Sequence, residues 1–167
     1  MILGQKLKTP TGVECALYFG KTMNLTQGVD GQYSHSGSFE WDDAGEDSGI
    51  DRRYAPCAIK CSYKDVGGGN GVNWQTVNPV MCADGVVRHL TFRLVHDNYI
   101  GDVKVGDIRQ QGDMIGHEGT AGQATGNHTH FNVAEGHISG QGLSRNRYGV
   151  YELQFELEPW RVFFVDG

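Results

Sequence analysis

Long apolar runs are missing from this sequence. No stretch approaches the roughly 20 apolar residues of a membrane-spanning helix, so membrane insertion is not expected. Runs of Ala, Leu, Glu and Lys are almost absent, which leaves little helix to expect. Basic charge is in deficit: 14 Lys and Arg stand against 20 Asp and Glu, a formal net charge of −6. A nucleic-acid binder needs a basic face to neutralise phosphate, so that class is excluded. Electrostatic docking to an anionic membrane or polymer is disfavoured for the same reason. The first ten residues lack the apolar core and small-residue cleavage site of a signal peptide, and the chain is expected to be made in the cytoplasm. Cysteine is sparse. Cys57 and Cys61 are spaced C-x3-C, but no second such pair completes a structural zinc site, and Cys15 and Cys82 stand apart. Free, buried thiols are the expectation.

Glycine is abundant, with 25 residues against 4 prolines. That mix reads as many short strands joined by tight turns. A length of 167 residues suits one domain, 1–167, with its own core. Residues 13–19 read as a first strand and 55–63 as another. The stretch 20–54 is polar and reads as a long functional loop. Gly67–Gly71 reads as a hairpin tip, since no G-K-[ST] follows to make a phosphate loop. Residues 74–82 and 86–96 read as a hairpin around Ala83-Asp84-Gly85. In its second arm Leu90, Phe92 and Leu94 share one face, and His96 continues that face at a rim. His89, Thr91 and Arg93 take the other, with His89 as a solvated surface residue. Val105-Gly106-Asp107 and Gln111-Gly112-Asp113 mark further turns. Two alternating apolar runs in 150–165 suggest strands or edge packing.

Gly126-Asn127-His128-Thr129-His130-Phe131 carries the chemistry. Residues i and i+2 of a strand share a face, so a strand over 128–134 sets His128 beside His130. Two neighbouring imidazoles are half of a metal site or an incidental pair. Zinc catalysis takes three protein ligands and leaves a position for water, whose proton the metal makes acidic. His35, with Asp42 and Asp43 shortly after it, lies in the long loop, and His96 ends a strand.

In that order, His35, Asp42, His96 and the His128-Thr129-His130 pair resemble the lysostaphin-type zinc endopeptidases, peptidase family M23, in a phage lysin-like style. Ser34-His35-Ser36-Gly37, Tyr54-Ala55-Pro56, Ala83-Asp84-Gly85, the two Val/Gln-Gly-Asp turns and Thr125-Gly126-Asn127-His128 support the likeness, which covers about 24–135. The resemblance implies a mostly β fold: antiparallel sheets of the duplicated-hybrid-motif or barrel-sandwich type, with a substrate groove and little helix. It implies one Zn2+ per chain, with His35, Asp42 and His130 as metal ligands and His96 and His128 as catalytic residues. Asp42 is favoured over Asp43 because Ala-Gly follows Asp43 as it does in virus-encoded relatives. Asn132 departs from the acidic residue often found after H-x-H-F, and 136–167 forms a C-terminal extension packed on the core.

The implied activity is zinc-dependent hydrolysis of peptide bonds in bacterial peptidoglycan, in a cross-bridge or stem peptide, for cell lysis or wall penetration by a bacteriophage. Such an endolysin or antimicrobial cell-wall hydrolase is expected as a monomer that binds peptidoglycan peptides. It is released through a holin or carried on a virion to reach the wall. The alternative is a catalytically inactive member that binds cell wall or regulates a wall amidase. Such members lack ligands, whereas all five positions are filled here. A lipoyl or biotinyl carrier needs a modifiable Lys at a hairpin tip beside Met, which Lys104 does not offer. A histidine phosphocarrier needs no carboxylate ligand. His89, His117 and His137 fall outside the pattern and read as surface or turn residues. Trp41, Trp74, Tyr148 and Trp160 are either packed or line a groove.

Overall fold

A computed structural model describes residues 4–20, 25–27, 35, 37–44, 51–122, 124 and 126–165. Ser34, Ser36, Thr125 and most of the long loop at 20–54 lie outside the described residues. The strands are β1 (Leu25–Gln27), β2 (Trp41–Asp43), β3 (Arg52–Tyr54), β4 (Ile59–Asp65), β5 (Gly71–Thr76), β6 (Val80–Met81) and β7 (Val87–Arg88). They continue as β8 (Leu90–Val95), β9 (Ile108–Arg109), β10 (Met114–His117), β11 (Thr129–Glu135), β12 (Leu143–Arg145) and β13 (Tyr151–Leu153). Among the described residues one short helix, α1, spans Pro159–Val162. The chain is therefore mostly β, as its glycine-rich, helix-poor composition requires.

The main sheet runs β1-β2-β11-β8-β5-β4-β9, and every pairing in it is antiparallel. Side chains alternate across it. One face carries Trp41, Phe131, Val133, Phe92, Trp74, Val72 and Ile59, all buried. The segment Cys15–Phe19 and the chain end lie over that face. Phe19 stacks on Phe131 at 4.4 Å between ring centroids, and Phe163 meets Phe131 edge-on at 5.4 Å. Each such side chain, taken fully from water, contributes about 1.5–3 kcal/mol. Trp41 and Trp74 are thus core residues, while Tyr148 and Trp160 are exposed. All four cysteines are free and buried.

Residues 13–19 are extended but form no continuous strand. Glu14, Cys15 and Leu17 make isolated bridges to Lys8, Met81 and Phe164. These partners lie in separate parts of the chain, so no ladder propagates. The turn at Ala83-Asp84-Gly85 closes a hairpin of β6 and β7, with Cys82 N donating to Val86 O at 3.0 Å. The 67–71 stretch caps the β4–β5 hairpin. In both Gly-Asp turns the aspartate closes the loop, as Asp107 Oδ2 accepts from Lys104 N and Asp113 Oδ2 from Gln110 N.

The opposite face of the main sheet carries Asp42, His130, Asn132, Arg93 and Thr91. The 136–157 segment covers one end of this face. Asn73 Nδ2 donates to Gln141 O at 2.9 Å, Thr91 Oγ1 to Gly136 O at 2.7 Å, and Gln75 Nε2 to Ile138 O at 3.1 Å. Ala134, Ile138, Leu153 and Leu143 form a small apolar cluster there. His89 is half-buried under the same cover. Its Nδ1 lies 3.1 Å from Thr76 Oγ1 and its ring 4.4 Å from that of His137. The expectation of a solvated His89 fails because the segment after β11 folds back over it. The uncovered part of the face is a groove of about 500 Å³.

Candidate metal centre

Strand alternation sorts the two adjacent aspartates. In the register of β2 against β11, Asp42 pairs with His130 and Asp43 with Thr129. Asp42 therefore faces the groove beside His130. Asp43 faces the other way, where Tyr18 donates to its Oδ2 at 2.5 Å and Arg53 Nη2 donates to its backbone oxygen at 3.0 Å. Arg53 also donates to Thr129 Oγ1 at 2.8 Å and pairs with Glu118 at 3.3 Å. Asp43 thus belongs to a buried network behind the sheet.

On the groove side, His35 Nε2 lies 3.2 Å from Asp42 Oδ1, and His130 Nδ1 lies 3.0 Å from the same oxygen. Ligating atoms of His35, Asp42 and His130 all fall within 4.8 Å of one another. His35 is fully buried and Asp42 and His130 are partly so. Burial disfavours the Asp42 carboxylate, but hydrogen bonds from His130 and His35 outweigh it and hold the group well below the usual carboxylate range. Two imidazole nitrogens and one carboxylate oxygen, gathered at a half-open site, are a donor set that zinc accepts.

The outer nitrogen of His130 is also held. Glu40, two residues before Asp42 on the same side, places Oε2 3.0 Å from His130 Nε2. Burial works against charge on His130, yet its bonds to Asp42 and Glu40 push it up to about 9. Glu40 Oε2 also accepts from Asn132 Nδ2 at 2.7 Å, and the same amide donates to Glu156 Oε1 at 2.6 Å. An acidic residue at 132 would face two carboxylates, whereas the amide serves both.

His96 and His128 flank this cluster, with ring centroids 4.5 Å apart, and His96 lies 6.0 Å from the His130 ring. Alternation along β8 would send His96 to the core face with Leu94. The strand ends at Val95, and His96 takes φ +86°, a conformation rare for a residue with a Cβ. That reversal turns its ring into the groove. His96 N donates to Gly69 O at 2.7 Å, which anchors the turn to the β4–β5 tip. Its Nδ1 lies 2.6 Å from Ala121 O, and His128 Nδ1 lies 2.9 Å from Gly126 O. A carbonyl only accepts, so both Nδ1 atoms carry protons and both Nε2 atoms are left for chemistry. Burial pushes His96 below its ordinary value, which favours the neutral ring. His128 Nε2 is 3.6 Å from Asp42 Oδ2.

Gly69 and Gly122 pack backbone to backbone beside His96. Gly122 has φ +76°, and a Cβ on it would come within 2.8 Å of the Gly69 Cα. Leu143 and Tyr151, from the C-terminal extension, line the same groove. The structure therefore brings His35, Asp42, His96, His128 and His130 together. His117 and His137 lie elsewhere. The sequence pattern singles out Asn132 only as a departure from the family and leaves Glu40 unremarked, although each sits two positions from a ligand and so shares its face. A second depression of about 470 Å³, bordered by Arg52, Asp97, Tyr99 and His117, contains none of the five.

No family model matches the sequence. The chain is 37% identical over 160 residues to morphogenesis protein 1 of Bacillus phage B103, which covers 96% of this chain. It spans 42% of the length of that relative. Among solved structures, a zinc-containing peptidase from Vibrio cholerae superposes with a TM-score of 0.51 at 20% identity, over 78% of this chain and 40% of the other. The catalytic domain of lysostaphin from Staphylococcus simulans gives 0.44 at 24% identity, over 73% and 80%. The fold of this chain is that of the Vibrio cholerae peptidase.

Proposed function

We propose that this chain, which shares its fold with a zinc-containing peptidase, is a lysostaphin-type (M23) zinc endopeptidase that hydrolyses peptide bonds in bacterial peptidoglycan. The observation that carries the reading is the convergence of His35, Asp42 and His130 within ligand distance of one another, with His96 and His128 beside them in one groove. In this reading His35, Asp42 and His130 hold one Zn2+. When bound, zinc supplies Lewis acidity that acidifies water and polarises a carbonyl. The rest falls to the chain. Glu40 keeps His130 Nδ1 turned toward Asp42. His96 and His128 each present an Nε2 to the groove, fixed by the carbonyls of Ala121 and Gly126. One Nε2 takes up a proton as the attacking oxygen loses it. The other, protonated, donates to the developing oxyanion or the leaving amine.

The phage morphogenesis relative supports a place in wall penetration or lysis by a bacteriophage. The enzyme would reach the wall on a virion or through a holin. The test is metal content of the purified chain beside Asp42→Ala, followed by digestion of cell walls from several bacteria. About one zinc per chain, lost in the variant, together with release of new amino termini from wall, is the expected result. Absence of zinc from both proteins after zinc is added back would sink the reading.

A further inference from the structure

We infer that Arg93 anchors a carboxylate of the substrate in this groove, so that the peptide cut is an acidic stem peptide rather than an oligoglycine bridge. This deepens the proposed function and rests on it. Arg93 lies on β8 near the centre of the sheet, in register with Asn132 on one side and Asn73 on the other. It borders the same groove as Asp42, His96, His128 and His130. Its guanidinium lies over Gly71, where a Cβ would come within 2.3 Å of Nη2. Glycine at 71 is what makes room for it.

The charge of Arg93 is thinly compensated. The side chain is buried, and among the described residues its hydrogen bond is from Nη1 to the neutral Asn73 Oδ1 at 2.9 Å. The carboxylate of Asp65 is 3.8 Å from Nη2, is 42% exposed, and accepts from Gln141 Nε2 at 3.1 Å. The other buried arginines differ. Arg88 forms two bonds of 2.8 Å to Asp84, and Arg53 is bound by Thr129, Glu118 and the Asp43 backbone. A guanidinium carries five N–H donors in a planar fork matched to a carboxylate. Arg93 has donors to spare in a desolvated setting, which is what a recognition arginine requires. An oligoglycine bridge has no side-chain carboxylate to place there.

The experiment uses the zinc-loaded His128→Ala chain, so that binding is read without turnover. The probes are a stem tetrapeptide containing γ-D-glutamyl-diaminopimelate with free carboxylates, and the same peptide amidated, titrated calorimetrically. The free acid should bind about 10- to 100-fold tighter, as for a charge-assisted hydrogen bond. Arg93→Gln in that background should abolish the preference. Arg93→Lys, which keeps charge but loses the fork, should cut it severalfold. Equal affinity for the two peptides overturns the inference with no variant needed. So does a preference that survives in folded Arg93→Gln or is unchanged in Arg93→Lys. A preference without wall cleavage by the unsubstituted chain would overturn the peptidase reading and leave the carboxylate subsite. Cleavage with equal binding would do the reverse.

Discussion

Asp42 and Asp43 are chemically identical neighbours with opposite jobs, and substitution should separate them. Asp42→Ala removes a groove ligand and should abolish stoichiometric zinc while costing little in melting temperature. Asp43→Ala removes the carboxylate whose Oδ2 lies 3.9 Å from Arg53 Nη1 and accepts from Tyr18, and should cost about 3–5 kcal/mol, the usual penalty for breaking a buried pair. Chemical denaturation and metal analysis of the two variants check this, and a double dissociation is the expected outcome. Glu40→Gln should lower zinc affinity about 10- to 100-fold, as loss of a carboxylate that orients a ligating histidine does. His128→Ala should bind zinc normally and lose about 100- to 10,000-fold in rate, the range for a general acid or base. Retention of substantial rate would remove His128 from the mechanism. The histidines were legible in the sequence because few other roles demand such residues in that order. Glu40 was not, since a glutamate in a polar loop has many innocent explanations. Only the alternation Glu40-Trp41-Asp42, read against a buried Trp41, places it in the groove.

At the scale of elements, β8 and β11 were legible because their apolar positions alternate and their ends are punctuated by small residues. The direction of His96 was not. It depends on a positive φ that the β4–β5 tip enforces through Gly69 O, a contact between segments remote in sequence. The continuous strand expected at 13–19 failed for the same reason, since its bridging partners arrive from three separate places. The join between β11 and the residues after β13 has a pH signature. Glu156 accepts from Asn132 and from Phe39 N, while Glu40 and Glu152 face it. Burial, with repulsion from those two carboxylates, outweighs the hydrogen bonds and pushes Glu156 from 4.5 up to about 7. Between those values the folded chain holds a proton that the unfolded chain has released. The contribution of Glu156 to stability therefore falls as pH rises through that window and is level above it. Glu156→Gln, neutral throughout, should melt close to the unsubstituted chain at pH 4.5 and a few degrees above it at pH 8. A difference that does not grow with pH would show that Glu156 is ionised in the fold.

For the whole molecule, the decisive part is the one that lies beyond the recognisable motifs. The family motifs end near residue 135, which suggests that the remainder is an addition. Physically it is not separable. Leu157, Val162 and Phe163 are buried in the main core with Phe19, Phe92 and Phe131, and Phe164 bridges to Leu17. On the other face, Leu143, Leu153 and Ile138 cover Ala134, while the backbone of 136–141 satisfies Thr91, Asn73 and Gln75. Removing three core side chains alone forfeits about 5–9 kcal/mol at 1.5–3 kcal/mol each. That matches the whole stability of an ordinary domain, about 5–15 kcal/mol. A chain cut after Glu135 should therefore show no cooperative melting transition and no stoichiometric zinc, even though all five groove residues precede the cut. Phe163→Ala isolates the packing contribution: it should cost about 3–5 kcal/mol and leave zinc affinity unchanged in the folded protein. A truncated chain that melts cooperatively and binds zinc would show that the core closes without its last strands and helix, and the aromatic contacts of Phe163 would then count for far less than their burial implies.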